Sequence, residues 1–214
     1  MIYTDASGRQ INLATLPDSK LNTAYCDIRT IFQDPFALLN PHMTVEQIVA
    51  EPLVANGSLS GKALRDRVAE LLTMVGLPAS AMSRYPHAFS GGQRQRICVA
   101  RALAPKPRII IADEATSALD VSLRKQILDL LLALRAELDL SIIFISHDFS
   151  IIRYFCDRIA VMYKGKLVEE GLTEDICTNL RHPYTRSLIS AVPQADPTLR
   201  SSKQRVRYQL DVVA

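Results

Sequence analysis

Arg108-Ile109-Ile110-Ile111-Ala112-Asp113-Glu114 runs through four apolar residues and closes on two carboxylates. Apolar residues at every position leave no solvent face, so the run reads as a strand buried on both sides, in the middle of a parallel sheet. An acid at the carboxyl end of such a strand sits where α/β folds place ligand chemistry. Downstream, Leu123, Ile127, Leu130, Leu131, Leu134 and Leu138 mark a helix. Ser141-Ile142-Ile143-Phe144-Ile145-Ser146 then repeats the buried-strand pattern and closes at His147-Asp148. A short helix over about 150–155 leads to Arg158–Tyr163, Lys164-Gly165 turns the chain, and Lys166–Glu170 returns as an antiparallel partner. Strand–helix–strand alternation predicts an α/β sheet.

Upstream, Phe89-Ser90-Gly91-Gly92-Gln93-Arg94-Gln95-Arg96 stands at the start of a helix expected over about Gln93–Leu103. Paired glycines let backbone N–H groups approach a ligand, and a helix N-terminus favours an anion, so the stretch suits a phosphate. A glycine turn capping a helix is the plainer reading of the stretch alone. Before it, Thr44 with Gln47 makes a capping box for a helix bent or ended near Pro52. Ser60 caps the next helix, whose Leu64, Val68, Leu71, Leu72 and Val75 fall at helical spacing, with Gly76 as its stop. Arg29-Thr30-Ile31-Phe32 is β-branched and aromatic and predicts a strand running into Gln33, halted by Asp34-Pro35. Nearer the start, Ile2-Tyr3 and Ile11–Leu13 suggest short strands around a Ser7-Gly8 turn. Residues 172–192 suggest one or two helices, and the last twenty residues a polar tail.

Composition bounds the function. The chain has 214 residues, 48% hydrophobic and 22% charged, with a formal net charge of +3. That charge is too small to argue for nucleic acid. Cys26, Cys98, Cys156 and Cys177 form no pair at metal or disulfide spacing, which fits a reducing compartment. The first residues carry Asp5 and Arg9 and no apolar core, so they do not read as a secretory signal. No run of about 18 uncharged apolar residues is present to span a membrane.

Taken singly, the polar residues at the strand ends have plain readings as capped or solvated groups. Their order is more telling: Gln33, Ser90-Gly91-Gly92-Gln93, Asp113-Glu114, Ser117 to Asp120, His147, with gaps of 90−33 = 57, 113−93 = 20 and 147−113 = 34 residues. This series resembles the ATP-binding-cassette (ABC) ATPases over nearly the whole chain. Gln33 matches the Q-loop, Phe89 to Gln93 the signature, Ile109 to Glu114 Walker B, Ser117 to Asp120 the D-loop and His147 the switch histidine. Ile31–Phe36, Leu39-Asn40-Pro41, Tyr85-Pro86-His87 and His182-Pro183-Tyr184-Thr185 are similar to the dipeptide, oligopeptide and nickel importer branch.

The resemblance implies an incomplete P-loop NTPase-like ABC nucleotide-binding domain with a helical subdomain. Residues 1–33 would be a remnant of the core sheet up to the Q-loop. Residues 34–104 would be the helical subdomain, 105–171 the α/β core, and 172–214 C-terminal helices and tail. It implies ATP and Mg²⁺ as cofactors, with Asp113 and Gln33 near the metal. Glu114 would polarise the attacking water and His147 would donate to the γ-phosphate. Ser90, Gly91, Gly92, Gln93, Ser117 and Asp120 would meet nucleotide across a dimer. The implied partners are a second ABC ATPase subunit, two membrane-spanning permease subunits and, indirectly, an extracytoplasmic solute-binding protein. The implied place is the cytoplasmic face of the membrane, as a peripheral subunit.

Three departures qualify the resemblance. No G-x-x-x-x-G-K-[ST] P-loop occurs. Gly57-Ser58-Leu59-Ser60-Gly61-Lys62-Ala63 is one residue short, ends in Ala and follows no core strand. In the family that loop precedes the segment resembling Ile2 to Leu16, so it is expected upstream of Met1. Ala115 stands where the family has Pro. Gln204 to Val213 resembles the start of a C-terminal extension, without the cysteine cluster some branch members carry. The expectation is therefore a chain that neither binds nor hydrolyses ATP alone, and that dissolves poorly unless a partner covers its core.

Overall fold

The computed structural model describes residues 2–5, 7–15, 17, 24–34, 38–57, 59–117 and 119–190. The Pro35 stop, the polar tail and the C-terminal extension lie outside the described residues. The chain divides into two compact units, Met1–Ile145 and Ser146–Ala214.

In the first unit, β1 (Ile2–Thr4) and β2 (Gln10–Asn12) form an antiparallel hairpin around Gly8, whose φ of 82° suits glycine. The Tyr3 hydroxyl donates to Asp27 Oδ2 at 2.6 Å, and Arg108 Nη1 donates to the Thr4 carbonyl at 3.0 Å. These bonds tie the hairpin to the residues that precede β3 (Ile28–Ile31) and β4 (Ile109–Asp113). With β5 (Ser141–Ile145), those strands make a parallel sheet in the order β3-β4-β5.

The expected strands are present, but they are less enclosed than the apolar runs predict. In β4, Ile110 and Ala112 are buried while Ile109, Ile111 and Asp113 are half-buried. In β5, Ile143 and Ile145 are 46% and 47% exposed, against 9% for Phe144. The physical reason is position: β5 is an edge strand that pairs with β4 alone among the described residues.

Among the described residues, every element between β3 and β4 is helical. Helix α1 (Val45–Ala55) is capped as expected, with Thr44 N–H donating to Gln47 Oε1 at 2.8 Å and Gln47 N–H to Thr44 Oγ1 at 3.3 Å. It continues through Pro52 instead of stopping there. Helix α2 (Gly61–Met74) buries Val68, Leu71 and Leu72, and its N-cap, Ser60, makes no side-chain bond to the helix, contrary to the capping expectation. Two 3₁₀ turns, Ala79–Ser83 and Pro86–Ala88, lead to α3 (Gly91–Leu103). Helix α4 (Val121–Leu138) connects β4 to β5, as a crossover between parallel strands requires.

In the second unit, α5 (Phe149–Phe155) precedes an antiparallel hairpin of β6 (Arg158–Tyr163) and β7 (Lys166–Leu172). Lys164 and Gly165 both take positive φ, 48° and 76°, as a two-residue primed turn demands. Helices α6 (Thr173–Thr178) and α7 (Pro183–Ser190) follow. The small core is Ile159, Val161 and Ile176, flanked by Phe149, Ile152, Val168 and Tyr184.

Candidate functional site

Three strand ends and two helix starts carry the polar residues singled out in the sequence. On the sheet, Ile31 is in register with Ala112. Gln33 and Glu114 each lie two residues beyond that pair, past the carboxyl ends of adjacent parallel strands. Asp113 ends β4 opposite Ile145. Glu114 turns sharply: its φ is 46°, and its N–H donates to the Ile145 carbonyl at 3.0 Å. A left-handed glutamate is strained by about 1–2 kcal/mol. Such strain clusters where a side chain must be aimed. The Ser117 N–H and hydroxyl both return to the Glu114 carbonyl, at 3.0 and 2.9 Å, closing a tight turn beyond the acids.

That turn ends at Asp120, the N-cap of α4. Its carboxylate accepts from Leu123 N–H and Ser122 Oγ, each at 2.9 Å. The Leu123 N–H first, then the Ser122 hydroxyl, hold Asp120 below the usual carboxylate range. The cap is therefore Asp120, and the helix starts at Val121. Val121 itself is 80% exposed, an unusual state for a valine next to a helix cap.

The Ser90 turn is a reciprocal cap. Ser90 N–H donates to Gln93 Oε1 at 3.0 Å, and Gln93 N–H donates to Ser90 Oγ at 3.3 Å. Helix α3 therefore begins at Gly91, two residues earlier than the expected Gln93 start. Neither Gly91 nor Gly92 takes a positive φ. At Gly92 the smallness serves packing, since a Cβ there would lie 3.1 Å from Leu123 Cδ2, whereas one on Gly91 would make an ordinary contact 3.8 Å from Leu119 Cδ2. The positive end of α3 and the cap of α4 thus form one corner, with Ser90 and Gln93 exposed at its surface.

His147 lies two residues past β5, at the start of the second unit, exposed, and just ahead of Asp148, which caps α5. The structure thus places Gln33, Asp113, Glu114, Ser117, Asp120 and the Ser90–Gln93 turn in one unit and His147 in the other.

For Mg²⁺ the chain offers a partial oxygen set. Asp113 at the end of β4 and Gln33 past the end of β3 present hard donors of the kind the ion takes alongside phosphate and water. Among the described residues no group of three or more His, Cys, Asp or Glu could hold a metal by itself. The decoy around Gly57 to Lys62 offers no cradle for a triphosphate, because among the described residues it follows helix α1 and runs into α2, with no strand feeding it.

Sequence reasoning missed two features that hold these parts. Arg96 Nη1 donates to the Val75 carbonyl at 2.7 Å, joining α3 to the end of α2. Glu169 on β7 accepts from the N–H groups of Arg181 and His182 at 2.9 and 3.1 Å, ahead of α7. An arginine inside a helix and an acid inside a strand carry no sequence signal for such distant partners.

Comparison with known proteins agrees with the series of motifs. Residues 2–117, more than half of the chain, match the family described as ABC transporter, and residues 168–211 match the oligopeptide/dipeptide transporter C-terminal region. The chain is 50% identical over 206 residues to the glutathione import ATP-binding protein GsiA of Shigella boydii serotype 4 (strain Sb227), and equally to that of Escherichia coli (strain K12). Each match covers 96% of this chain and 33% of the relative, so the chain spans a third of the length of these curated relatives. Among solved structures it is similar to cbiO1 from Clostridium perfringens, part of the ABC transporter complex cbiONQ, with a TM-score of 0.70, 28% identity and coverage of 81% of this chain and 69% of that one. It is also similar to the ATP-binding cassette MJ0796 in a post-hydrolysis dimer bound to ADP and Pi, with a TM-score of 0.65, 34% identity and coverage of 76% and 70%. Among the described residues no helix is long and apolar enough to cross a membrane.

Proposed function

The chain belongs to the ABC transporter family, and on that premise we propose that it is the ATP-binding component of an importer for peptides or related small solutes, inactive as an isolated chain. The observation that carries this reading is a contrast. The Ser90–Gln93 turn is reciprocally capped, with Ser90 and Gln93 exposed, yet no G-x-x-x-x-G-K-[ST] occurs anywhere in the 214 residues. A cassette lacking the backbone cradle for the β- and γ-phosphates loses the main source of nucleotide affinity. It keeps the groups that act once nucleotide is present.

ATP with Mg²⁺, when bound, supplies the transferable phosphoryl group and its charge. Asp113 and Gln33 would then hold the metal side of the site, Glu114 would orient and polarise water, and His147 would donate to the phosphoryl oxygens. The Ser90–Gln93 turn, with Ser117 and Asp120 beside it, would face the nucleotide of a second ABC ATPase subunit. Residues 34–104 would form the helical subdomain that meets two membrane-spanning subunits fed by an extracytoplasmic binding protein. Residues 1–33 and 105–171 would then make up the remaining core, 172–214 the C-terminal region, and the chain would sit on the cytoplasmic face of the membrane.

A second reading is favoured by the exposed turn itself: a non-catalytic partner that lends its signature to an intact cassette. The first test is nucleotide binding by the purified chain. ATP should bind more weakly than about micromolar and should not turn over. Micromolar affinity with turnover would overturn both readings.

A further inference from the structure

We propose that Arg96 is the positioning residue that fixes the Ser90–Gln93 turn, by fastening α3 to the carbonyl end of α2. The functional consequence rests on the reading of that turn given above; the mechanical one does not. Helix α2 ends in a left-handed Gly76, φ 73°. Gly76 N–H donates to the Thr73 carbonyl at 2.9 Å, and Leu77 N–H to the Leu72 carbonyl at 2.8 Å. These turn bonds satisfy two of the four carbonyls that a helix end leaves open. The Val75 carbonyl accepts instead from Arg96 Nη1, at 2.7 Å and half-buried.

The guanidinium reaches that carbonyl because position 76 has no side chain. A Cβ there would lie 2.8 Å from Nη1 and 3.8 Å from Cζ. Gly76 is thus required for its φ, and a side chain there would also push the far end of Arg96 aside. The cation also sits at the negative end of α2, where it is favoured. A planar guanidinium keeps its aim in that slot better than the flexible ammonium of lysine does. Arg96 lies six residues after Ser90 on the same helix, a separation of about 9 Å along the axis. Any rotation of α3 that carried Ser90 away would break the Val75 bond. At the other end of α3, Arg101 Nη2 pairs with Glu51 at 2.7 Å. That contact anchors the last turn; Gly92 against Leu123 packs the first, and Arg96 ties the stretch that follows it to α2.

Amide hydrogen exchange on the full chain tests this without nucleotide or partner. Arg96→Ala should speed exchange about tenfold at Leu77 and Gln93, and leave Ile110 in β4 within about twofold. If that variant fails to fold, Arg96→Lys, which keeps the charge and one donor, should speed the same amides about threefold. Unchanged exchange at Leu77 and Gln93, or an equal rise at Ile110, would overturn the proposal. In a second arm the chain is mixed with an intact cassette that turns over ATP. Arg96→Ala should cut the kcat gained from the chain about fivefold, with KM for ATP within about twofold, and Arg96→Lys should restore part of it. A wild-type chain that adds no turnover, alongside an Arg96→Ala effect on local exchange, would end the lending reading and leave the positioning role standing.

Discussion

Gly92 on α3 and Leu123 on α4 pack so closely that a Cβ at position 92 would lie 3.1 Å from Leu123 Cδ2 and 3.4 Å from Cδ1. The capped Ser90 turn and the Asp120 cap are therefore one corner of the first unit. In the family reading those are the two surfaces offered to a second cassette. A displacement of one would carry the other with it.

The contact sets the sign of a double-mutant cycle. Alanine in place of glycine within a helix gains about 1 kcal/mol in propensity. Overpacking costs about 1–3 kcal/mol. Gly92→Ala should therefore destabilise the wild-type chain by about 1 kcal/mol, and should stabilise a Leu123→Ala background by a similar amount. Urea denaturation of the four variants measures this. The same sign in both backgrounds would show that Leu123 yields freely.

The β5 edge should govern solubility. Ile143 and Ile145, 46% and 47% exposed, stand on a strand whose sequence, Ser-Ile-Ile-Phe-Ile, has no charge, proline or bulge to discourage pairing with another chain. The isolated chain should self-associate and bind the dye ANS. Ile143→Lys and Ile145→Lys should each raise the monomer fraction in sedimentation velocity several-fold. A wild-type chain that stays monomeric at about 100 μM would refute this.

Glu169 should make the second unit acid-sensitive. Burial alone would raise its pKa, but the neighbouring Thr185 hydroxyl and the N–H groups of Arg181 and His182 more than offset that and hold it lowered. Glu170, Asp175, Arg181 and His182 are the charged or titratable groups around the same cavity of about 570 Å³. A lowered carboxylate pKa gives stability that is present above the unfolded value, about 4.3. That stability is lost as pH falls through the lower folded value. Protection of the Arg181 and His182 amides, taken relative to the intrinsic exchange rate at each pH, should be present at neutral pH and fall below about pH 4. In Glu169→Gln it should be lower at neutral pH and flat across that range. An acid response that survives Glu169→Gln would assign it to another group.

Much of the first unit was legible because its signals are local. The capping box of Thr44 and Gln47 follows from spacing alone, as does the left-handed stop at Gly76. The strand–helix–strand order follows from apolar periodicity. Exposure did not follow. Ile143 and Ile110 look alike in sequence, and one sits on an edge strand while the other sits at the centre. The motif residues were legible by order, but what holds them was not. Arg96 meets Val75 across 21 residues, and Glu169 meets Arg181 across 12. Periodicity cannot see a charged side chain reaching a backbone group that distant. Glu114's left-handed turn escaped as well, since φ > 0 at a glutamate is set by the Ile145 carbonyl on the neighbouring strand.

The central claim is that the Ser90–Gln93 corner acts on nucleotide held by another cassette. The most direct test is the ATP turnover of an intact, hydrolysing cassette titrated with this chain, as wild type and as Ser90→Arg. The account predicts that wild type raises turnover to a plateau and that Ser90→Arg, which places a bulky cation in the capped turn, leaves it at the level of the cassette alone. Equal turnover with wild type, with Ser90→Arg and with no added chain would contradict it.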